Sequence, residues 1–269
     1  MSRSALRLLT YNIQVAIGSR RYRHYVSHGW KYVMPHGQTL HNLDRIAGVI
    51  HDFDIVGLQE ADGGSFRTAF VDQARYLAAS AGFRFCESMI TRDFGRFARH
   101  TNSLLSRLPV QAIHEHRLPG AMDGRGVLEA RFNLDGRPLT LFVTHLALRQ
   151  RTRMRQTGYL AQLVRAAGPS VVMGDFNARP GSREIALLCE RSGLHLSTRP
   201  AHATLPSWRP RVAVDHILAT PELTLEGYGP IPELLSDHLP VQATVRWAST
   251  GDDDLDAADE AGTAEAEIT

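Results

Sequence analysis

The chain has 269 residues, of which 43% are apolar and 22% are charged. These values are typical of a globular chain with one large or two small domains, and they exclude collagen-like, coiled-coil and wholly disordered proteins. No stretch approaches the roughly 18 uninterrupted apolar residues of a membrane-spanning helix. Cys86 and Cys189 form no CxxC motif, and the first residues lack the long apolar run of a signal peptide, so we predict a cytoplasmic protein.

The formal net charge of +2 conceals an uneven distribution of charge along the chain. Residues 248–269 contain eight acidic and no basic side chains, which leaves residues 1–247 with 30 basic and 20 acidic ones and a charge of about +10. A basic body favours an anionic or phosphorylated partner. Only Lys31 is a lysine, however, and a bias in codon usage would produce the same arginine-rich composition.

Short apolar runs and helical patterns alternate along residues 1–247. The apolar runs predict nine strands, at 6–12, 54–60, 83–90, 101–106, 126–133, 138–145, 170–175, 212–219 and 239–247. Apolar residues at helical spacing predict four helices, at 39–51, 67–81, 149–167 and 182–192. This many strands with few helices predict one domain over residues 1–247, with two packed mixed sheets and helices outside them.

The acidic segment 248–269 has almost no large apolar side chains. It buries too little surface to fold by itself, so we predict a disordered, solubilising tail. The alternative is that the tail imitates an anionic substrate and competes with it for the basic body.

Polar side chains that can bind a metal or a phosphate recur where the predicted strands end. They are Asn12, Glu60, His145, Asp175 and Asn177, together with Asp215 inside a further strand and Asp237 and His238 just before the last one. Each residue alone is more typical of a turn or of an ordinary surface group. The strand ends of a layered sheet lie along its edge, so the joint pattern predicts that these residues converge on one rim.

The residue types in this set favour metal-assisted attack on a phosphoester. Glu60 and Asp237 are hard oxygen ligands that suit Mg²⁺ or Mn²⁺, whereas zinc would require a set rich in His and Cys. A buried Asp215 needs a partner, and His238 is the natural one because a carboxylate orients a catalytic imidazole. Asp175 can position a water for in-line attack. The sequence contains no P-loop, dinucleotide-binding or serine-hydrolase motif.

The motifs TYN, LQE, TNSLLS, THL, GDFN, VDH and SDHLP follow one another in this order over residues 6–247. This series resembles the endonuclease/exonuclease/phosphatase superfamily, also called DNase I-like. The resemblance implies an α/β fold, namely a four-layer αββα sandwich of two packed mixed sheets flanked by helices. It also implies hydrolysis of phosphoesters that depends on a divalent cation, Mg²⁺ or Mn²⁺.

The resemblance assigns roles to the residues at the strand ends. Those implied for catalysis are His238, Asp215, Asp175, His145 and Asn177, and those implied for the metal are Glu60, Asn12 and Asp237. Asp175 aligns or deprotonates the water, Asn177 contacts the phosphate, and Asp215 orients His238. His145 matches a histidine of the DNase I-like, sphingomyelinase-like and deadenylase-like branches, which argues against the exonuclease III-like branch.

These motifs leave the substrate open. Residues 16–38 place four basic side chains among aromatic ones, Arg23 and Trp30 included, and follow directly on the first strand. The segment suits stacking on nucleobases, contact with a membrane interface, or packing as a structural flap. Arg149 and Arg153 are four residues apart on one predicted helix and are the next candidates for contact with the substrate.

Asn102 in TNSLLS is a further candidate for substrate contact, because it resembles an asparagine of small bacterial members of the superfamily. The basic body favours cleavage of nucleic-acid phosphodiesters, of endonuclease or exonuclease type. Phospholipids or small phosphoesters are the alternative, although no hydrophobic hairpin is evident in the sequence. A non-catalytic binding module is disfavoured because every site position holds a competent residue, and no obligate protein partner is evident.

Overall fold

A computed structural model describes residues 5–18, 38–120, 124–196 and 202–248. Arg23, Trp30 and nearly all of the 16–38 segment lie outside these residues, as do residues 249–269 of the acidic tail. The described residues form two six-stranded sheets that pack face to face, with helices on the outer faces. This is the four-layer αββα sandwich, so the predicted fold class is confirmed.

The described residues form twelve strands and four α-helices. The strands are β1 (Ala5–Asn12), β2 (Ile55–Asp62), β3 (Phe85–Asp93), β4 (Arg99–Ser106), β5 (Ala112–Arg117), β6 (Gly126–Leu134), β7 (Arg137–His145), β8 (Ser170–Asp175), β9 (His195–Leu196), β10 (Asp215–Ala219), β11 (Leu223–Pro230) and β12 (Val241–Trp247). The helices are α1 (Gln38–Ile50), α2 (Gln73–Ala81), α3 (Gln150–Ala167) and α4 (Arg183–Ser192), and 3-10 turns lie at Gln14–Ala16 and Phe66–Thr68.

Each sheet has one parallel pair of strands near its centre. The first sheet has the order β11-β12-β1-β2-β4-β3, and the second has the order β5-β6-β7-β8-β10-β9. β1 runs parallel to β2, and β7 runs parallel to β8, whereas the remaining neighbours are antiparallel. Parallel neighbours end at the same edge of a sheet, so each sheet presents two strand ends side by side.

Three apolar clusters hold the four layers together. One lies between the sheets and includes Leu8, Leu141 and Met173, all fully buried. The second fills the space under α1 and α2, and the third lies under α3 and α4. The α-helices show their apolar residues at three- and four-residue spacing, as helices covering a sheet must. Among the residues that the structure describes, no helix is long and apolar enough to cross a membrane.

Several predicted boundaries were wrong, and three strands were not predicted. β5, β9 and β11 have too few buried apolar residues to give a strand pattern. The helix predicted over 67–81 begins only at Gln73, because the turn before it leaves helical geometry: Ala69 and Phe70 both have a positive φ. Asp72 then caps the helix by accepting a hydrogen bond from the backbone N–H of Arg75.

Candidate active site

The strands bring five of the predicted site residues to one edge of the sandwich, and four of these residues lie on the two parallel pairs. Asn12 ends β1 and Glu60 lies near the end of β2, while His145 ends β7 and Asp175 ends β8. His145 and Asp175 are direct partners in the strand register, and Asp215 opens the antiparallel strand β10 opposite Asp175. The order of strands therefore assembles the cluster from distant parts of the chain.

Two local backbone features position this edge. Glu60 has a φ of +56° and lies where the pairing of β2 with β4 shifts between Gln59 and Ala61, which turns its side chain away from the regular pleat. Gly174 has a φ of +151°, and a Cβ there would lie 1.9 Å from the carbonyl oxygen of Thr144. Only glycine allows β8 to approach β7 this closely, which explains the first residue of the GDFN motif.

The carboxylate of Asp175 is the centre of the site. Its Oδ2 accepts a hydrogen bond from Nδ2 of Asn12 at 3.1 Å and lies 3.3 Å from Nε2 of His145. Nε2 of His238 lies 3.9 Å from the same oxygen. The other oxygen, Oδ1, accepts a hydrogen bond from the backbone N–H of Asn177 at 2.9 Å. Four predicted site residues thus surround one buried carboxylate.

The protonation of Asp175 is tuned by this environment. Burial raises the pKa of its carboxyl group to about 7, opposed by the attraction of His238 and reinforced by the repulsion of Asp215. A carboxyl group whose pKa lies near the working pH can both take up and release a proton. Asp175 is therefore suited to act as a base toward a water molecule.

Asp215 and His238 form a tight pair beside it. Nδ1 of His238 lies 2.8 Å from Oδ2 of Asp215, and the hydroxyl of Thr204 donates a hydrogen bond to the same oxygen. Burial opposes protonation of His238, but the attraction of Asp215 and Asp175 raises its pKa well above the usual value. The imidazole is thus held with Nε2 directed toward Asp175. Thr204 carried no sequence signal, since it precedes the strand in an irregular segment.

His145 has the opposite electrostatic character. Burial, assisted by the positive charge of Arg125, lowers the pKa of its imidazole well below the usual value. The ring is therefore neutral at pH 7. Its Nε2 lies between two carboxylates, 3.3 Å from Oδ2 of Asp175 and 3.9 Å from Oε1 of Glu60. A neutral imidazole in this position can donate one hydrogen bond without adding charge to the site.

The residues predicted to bind a metal suit a divalent cation. The side chain of Glu60 remains 29% exposed at the rim. Burial raises the pKa of its carboxyl group, and the nearby negative charge of Asp237 raises it further. Two such carboxylates without a cation between them repel each other, and a hard divalent cation would relieve that repulsion. This set of oxygen donors therefore fits Mg²⁺ or Mn²⁺.

Both polar side-chain atoms of Asn12 are engaged in hydrogen bonds within the protein. Its Oδ1 accepts a hydrogen bond from the backbone N–H of Gln14, and its Nδ2 donates to Asp175. Asn12 therefore orients a carboxylate of the site. By distance alone, Asp175, Asp215 and His238 form another group that could hold a metal. His238 and Asp215 already bind each other, however, so this group is better understood as a catalytic cluster.

A small cationic cleft adjoins Glu60 and His145. Its lining residues are Glu60, Thr91, Arg92, His100, Gly124, Arg125 and His145. Arg125 is half-buried, and its charge is favoured by the carboxylates of Glu60 and Asp175, although burial lowers its pKa. Burial and the charge of Arg67 lower the pKa of His100 to about 4. No sequence pattern distinguishes Arg92 or Arg125 from the other arginines among the 29 in the chain.

The structure places Asn102 between the two sheets. Asn102 is buried, and its Nδ2 donates a hydrogen bond to the carbonyl oxygen of Gly126 at 2.9 Å. Asn102 lies on β4 of the first sheet and Gly126 begins β6 of the second, immediately after Arg125. Asn102 thus makes a structural contact next to the cleft wall, and its contact with substrate stays a prediction.

The two arginines predicted after His145 also differ in role. Arg149 is exposed and immediately precedes α3. Arg153 lies 2.7 Å from Glu184 and donates hydrogen bonds to the carbonyl oxygens of Ala147 and Leu148, so it holds the loop that follows His145. Arg23 and Trp30, the other predicted substrate contacts, lie outside the described residues.

Comparisons with known proteins agree with this arrangement. The model of the endonuclease/exonuclease/phosphatase family matches residues 9–238. The chain belongs to this family. Family members hydrolyse phosphoester bonds. The match spans every strand end at the site, from Asn12 to His238.

Several solved structures have the same fold. A family member from Beutenbergia cavernae is 23% identical, with 92% of this chain and 72% of that chain covered and a TM-score of 0.72. A mannosyl-6-phosphatase from Bacteroides thetaiotaomicron is 16% identical, with 90% and 100% covered and a TM-score of 0.71. The catalytic domain of human Nocturnin, solved with a sulfate anion, is 18% identical, with 91% and 96% covered and a TM-score of 0.67. No curated protein matches the chain significantly.

Replacement of Asp215 by Asn tests the pair with His238. Asp215→Asn keeps the shape but removes the negative charge, so turnover of a small phosphodiester should fall roughly 10²- to 10⁴-fold. Thr204→Val removes one hydrogen bond and leaves the charge, and should therefore cost much less. Turnover rates of folded variants, verified by circular dichroism, provide the measurement. An Asp215→Asn enzyme as fast as the wild type would show that Asp215 does not serve His238.

Replacement of Asn102 by Ala tests the link between the sheets. Asn102→Ala leaves the buried carbonyl of Gly126 without its main donor, so the free energy of unfolding should fall by about 1–3 kcal/mol. Thr144→Val is the matched control, because its hydroxyl donates to the same carbonyl only at 3.4 Å. Urea unfolding measures both. Unchanged stability with a raised KM would instead return Asn102 to the substrate contacts expected from the sequence.

Proposed function

We propose that this family member is a phosphodiesterase that depends on Mg²⁺ or Mn²⁺. The observation that carries the proposal is the position of Asp175, whose Oδ2 lies within 4 Å of both His145 and His238. A base, a charged imidazole and a neutral imidazole then face one point at the rim. This arrangement suits a tetrahedral phosphoryl group better than any acyl-transfer or redox chemistry, which would require other groups.

Each residue has a defined part in the proposed reaction. Asp175 orients the attacking water and accepts its proton. His238 uses the Nδ1 contact with Asp215 to remain protonated, and its Nε2 is free to donate to a phosphoryl oxygen or to the leaving oxygen. His145 donates a hydrogen bond while adding no charge. Glu60 and Asp237 would hold the divalent cation, which would supply Lewis-acid stabilisation of the charge that develops on the phosphoryl oxygens.

Arg125 extends the phosphate-binding surface beyond the attacked phosphorus. It lines the cleft with Glu60 and His145 and is close enough for its charge to act on Glu60 and Asp175. A guanidinium can bind two phosphate oxygens at once. The cleft therefore favours substrates that are anionic near the scissile bond.

Nucleic acid is the substrate class that the charge of the chain favours. Residues 1–247 carry a charge of about +10, which includes exposed arginines such as Arg92 at the cleft and Arg149, four residues after His145. Neutralisation of several phosphates by such residues releases counterions and strengthens binding at low salt. On this proposal the reaction is endonuclease- or exonuclease-like cleavage.

Phospholipid is the second candidate, and a different observation favours it. Four exposed phenylalanines lie in two segments next to the cleft, a feature that the sequence did not reveal. A contiguous exposed apolar patch marks an interaction site for a protein, a membrane or an apolar part of a ligand. An amphiphilic phosphodiester would place its charged part in the cleft and its apolar part toward this patch.

Removal of divalent cations tests the metal dependence. Treatment with EDTA should abolish hydrolysis of bis-p-nitrophenyl phosphate, and added Mg²⁺ or Mn²⁺ should restore it, because the donors are carboxylate oxygens. Glu60→Gln should raise the cation concentration needed for half-maximal activity. Zinc serves as the comparison ion. Full activity in EDTA, or restoration by zinc alone, would contradict the proposal.

Replacement of Arg125 tests the cleft. Arg125→Gln should lower kcat/KM for a phosphodiester by about tenfold to a hundredfold, because it removes a charge-assisted contact with the phosphate. Arg155→Gln is the matched control, since Arg155 is exposed on α3 away from the cleft. Steady-state kinetics of both variants make the comparison. Equal kinetics for the two variants would remove Arg125 from the binding surface.

A further inference from the structure

Four phenylalanines are exposed next to the cationic cleft, and none belongs to the catalytic cluster. Their exposed fractions are 40% for Phe66, 58% for Phe70, 54% for Phe94 and 69% for Phe97. We call these four residues the aromatic platform. Exposed phenylalanine is costly in water, and four such rings in two short segments form more apolar surface than scattered surface residues do.

The platform is assembled from two segments that hydrogen-bond to each other. Phe66 lies in the turn after β2, and its backbone N–H donates to the carbonyl oxygen of Arg96 at 2.7 Å. The N–H of Arg67 donates to the carbonyl of Phe97 at 3.4 Å. Arg96 and Phe97 lie at the tip of the β3–β4 hairpin. The backbone N–H of Phe94 closes this hairpin by donating a hydrogen bond to the carbonyl oxygen of Ala98. The two segments therefore lie side by side, and each carries two of the exposed rings.

A buried carboxylate fixes the platform in place. Asp62 is fully buried and accepts hydrogen bonds from the backbone and hydroxyl of Ser65, from Thr68 and from Nε of Arg67. It also accepts one from the backbone N–H of Arg99 on the hairpin, at 3.3 Å. A buried carboxylate with this many donors is expensive to assemble. The arrangement is therefore rigid rather than a loop that happens to expose its rings.

The backbone at Phe70 adds to this cost. Ala69 has a φ of +52° and Phe70 a φ of +61°, a region that bulky side chains rarely adopt. Such conformations are strained and cluster at functional sites. Here the strain has no compensation from burial of the ring, because Phe70 is more than half exposed. Strain that holds an apolar ring in solvent points to a ligand that covers it.

The platform adjoins the cleft at Phe94, and exposed arginines lie beside its residues in the chain. The guanidinium of Arg92, which lines the cleft, lies 5.7 Å from the centre of the Phe94 ring. Arg92 and Arg96 are both exposed. The neighbouring acid, Asp93, faces Arg99 at 3.7 Å and accepts a hydrogen bond from the N–H of Gly95, so part of its charge is compensated. A ligand that covers the rings therefore meets arginines at their border.

We propose that the aromatic platform docks on the surface of an anionic phospholipid bilayer and places the cleft over the lipid head groups. The inference names phospholipid as the substrate class and in that respect rests on the proposed function. Rings that enter the boundary between head groups and acyl chains leave water, which is favourable. The arginines next to them then contact anionic head groups.

A nucleic acid fits the same surface less well. Nucleobases stack on aromatic rings, but single strands are bound where a positively charged groove follows their backbone. The rings also project from the tips of a turn and a hairpin instead of lining a groove along which a strand could run. The bilayer is therefore the occupant that the chemistry of the platform favours, and nucleic acid is an outcome that the experiment must distinguish.

The experiment compares binding of the full chain to two kinds of vesicle, phosphatidylcholine alone and phosphatidylcholine mixed with phosphatidylserine. The wild type should co-sediment with the mixed vesicles and much less with the neutral ones. The variant Phe94→Ser/Phe97→Ser should bind the mixed vesicles at least about tenfold more weakly, since two rings no longer leave water. Arg96→Gln should lose about fivefold, the contribution of one arginine near an anionic surface.

Two controls keep binding, folding and chemistry separate. Leu40→Ser makes the same kind of change at an exposed apolar residue on α1 and should leave vesicle binding unchanged. All variants are also assayed on bis-p-nitrophenyl phosphate, which needs no bilayer, and on which their rates should equal that of the wild type. Platform-dependent vesicle binding without any phosphodiesterase activity in the wild type would overturn the proposed function but leave the docking surface established.

Two results would overturn the docking proposal. The wild type could fail to bind mixed vesicles, or Phe94→Ser/Phe97→Ser could bind them as tightly as the wild type and Leu40→Ser. If the wild type fails to bind vesicles and the double variant loses affinity for a single-stranded oligonucleotide, the platform would be assigned to nucleic acid.

Discussion

The hydrogen bond from Asn12 to Asp175 joins the two sheets at the point where the chemistry is placed. Asn12 ends a strand of the first sheet, and Asp175 ends a strand of the second. The site therefore exists only when the two sheets are packed in their correct relative position. Apolar burial between the sheets supplies the free energy of this packing, and the polar contacts at the rim use the resulting geometry.

The electrostatics of the rim follow from the same packing. Burial of Asp175, His145 and His238 side by side moves their pKa values in different directions, because each has a different neighbour. Asp215 holds a proton on His238, whereas Arg125 and burial keep His145 neutral. Two histidines a few ångströms apart thus take different protonation states, and a single site gains both a charged donor and a neutral one.

The sequence predicted the parts of the molecule that depend on local pattern. Apolar strands that end in polar residues marked Asn12, Glu60, His145 and Asp175, and the order of the motifs indicated the four-layer fold. β11 was not predicted because its two glycines and its proline interrupt the apolar pattern. Boundaries also shifted where tertiary contacts override propensity, as in the turn before α2.

The substrate-facing surface could not be predicted, for a different physical reason. Arg125 has no local signature among many arginines, and its importance comes from the strands that surround it. Phe66 and Phe97 are 31 positions apart in the chain, and only their pairing across two turns makes them neighbours. Exposure of a phenylalanine is likewise a tertiary property, since the same residue in a sequence normally indicates a core position. Asn102 is the opposite case. It is a polar residue in a family motif, yet it is buried and its side chain donates a hydrogen bond to a strand of the other sheet.

Glu60 and Asp62 belong to one strand and lie two residues apart, yet the first borders the catalytic cleft and the second anchors the aromatic platform. Two residues of extended chain span about 6–7 Å, and a paired strand within a sheet has no hinge. On a bilayer, the height of the reaction centre above the lipid surface would then be a constant of the fold. The enzyme would then select lipids by the distance of their phosphoester from the acyl chains. Lipids with chemically different head groups but the same distance would be hydrolysed at similar rates.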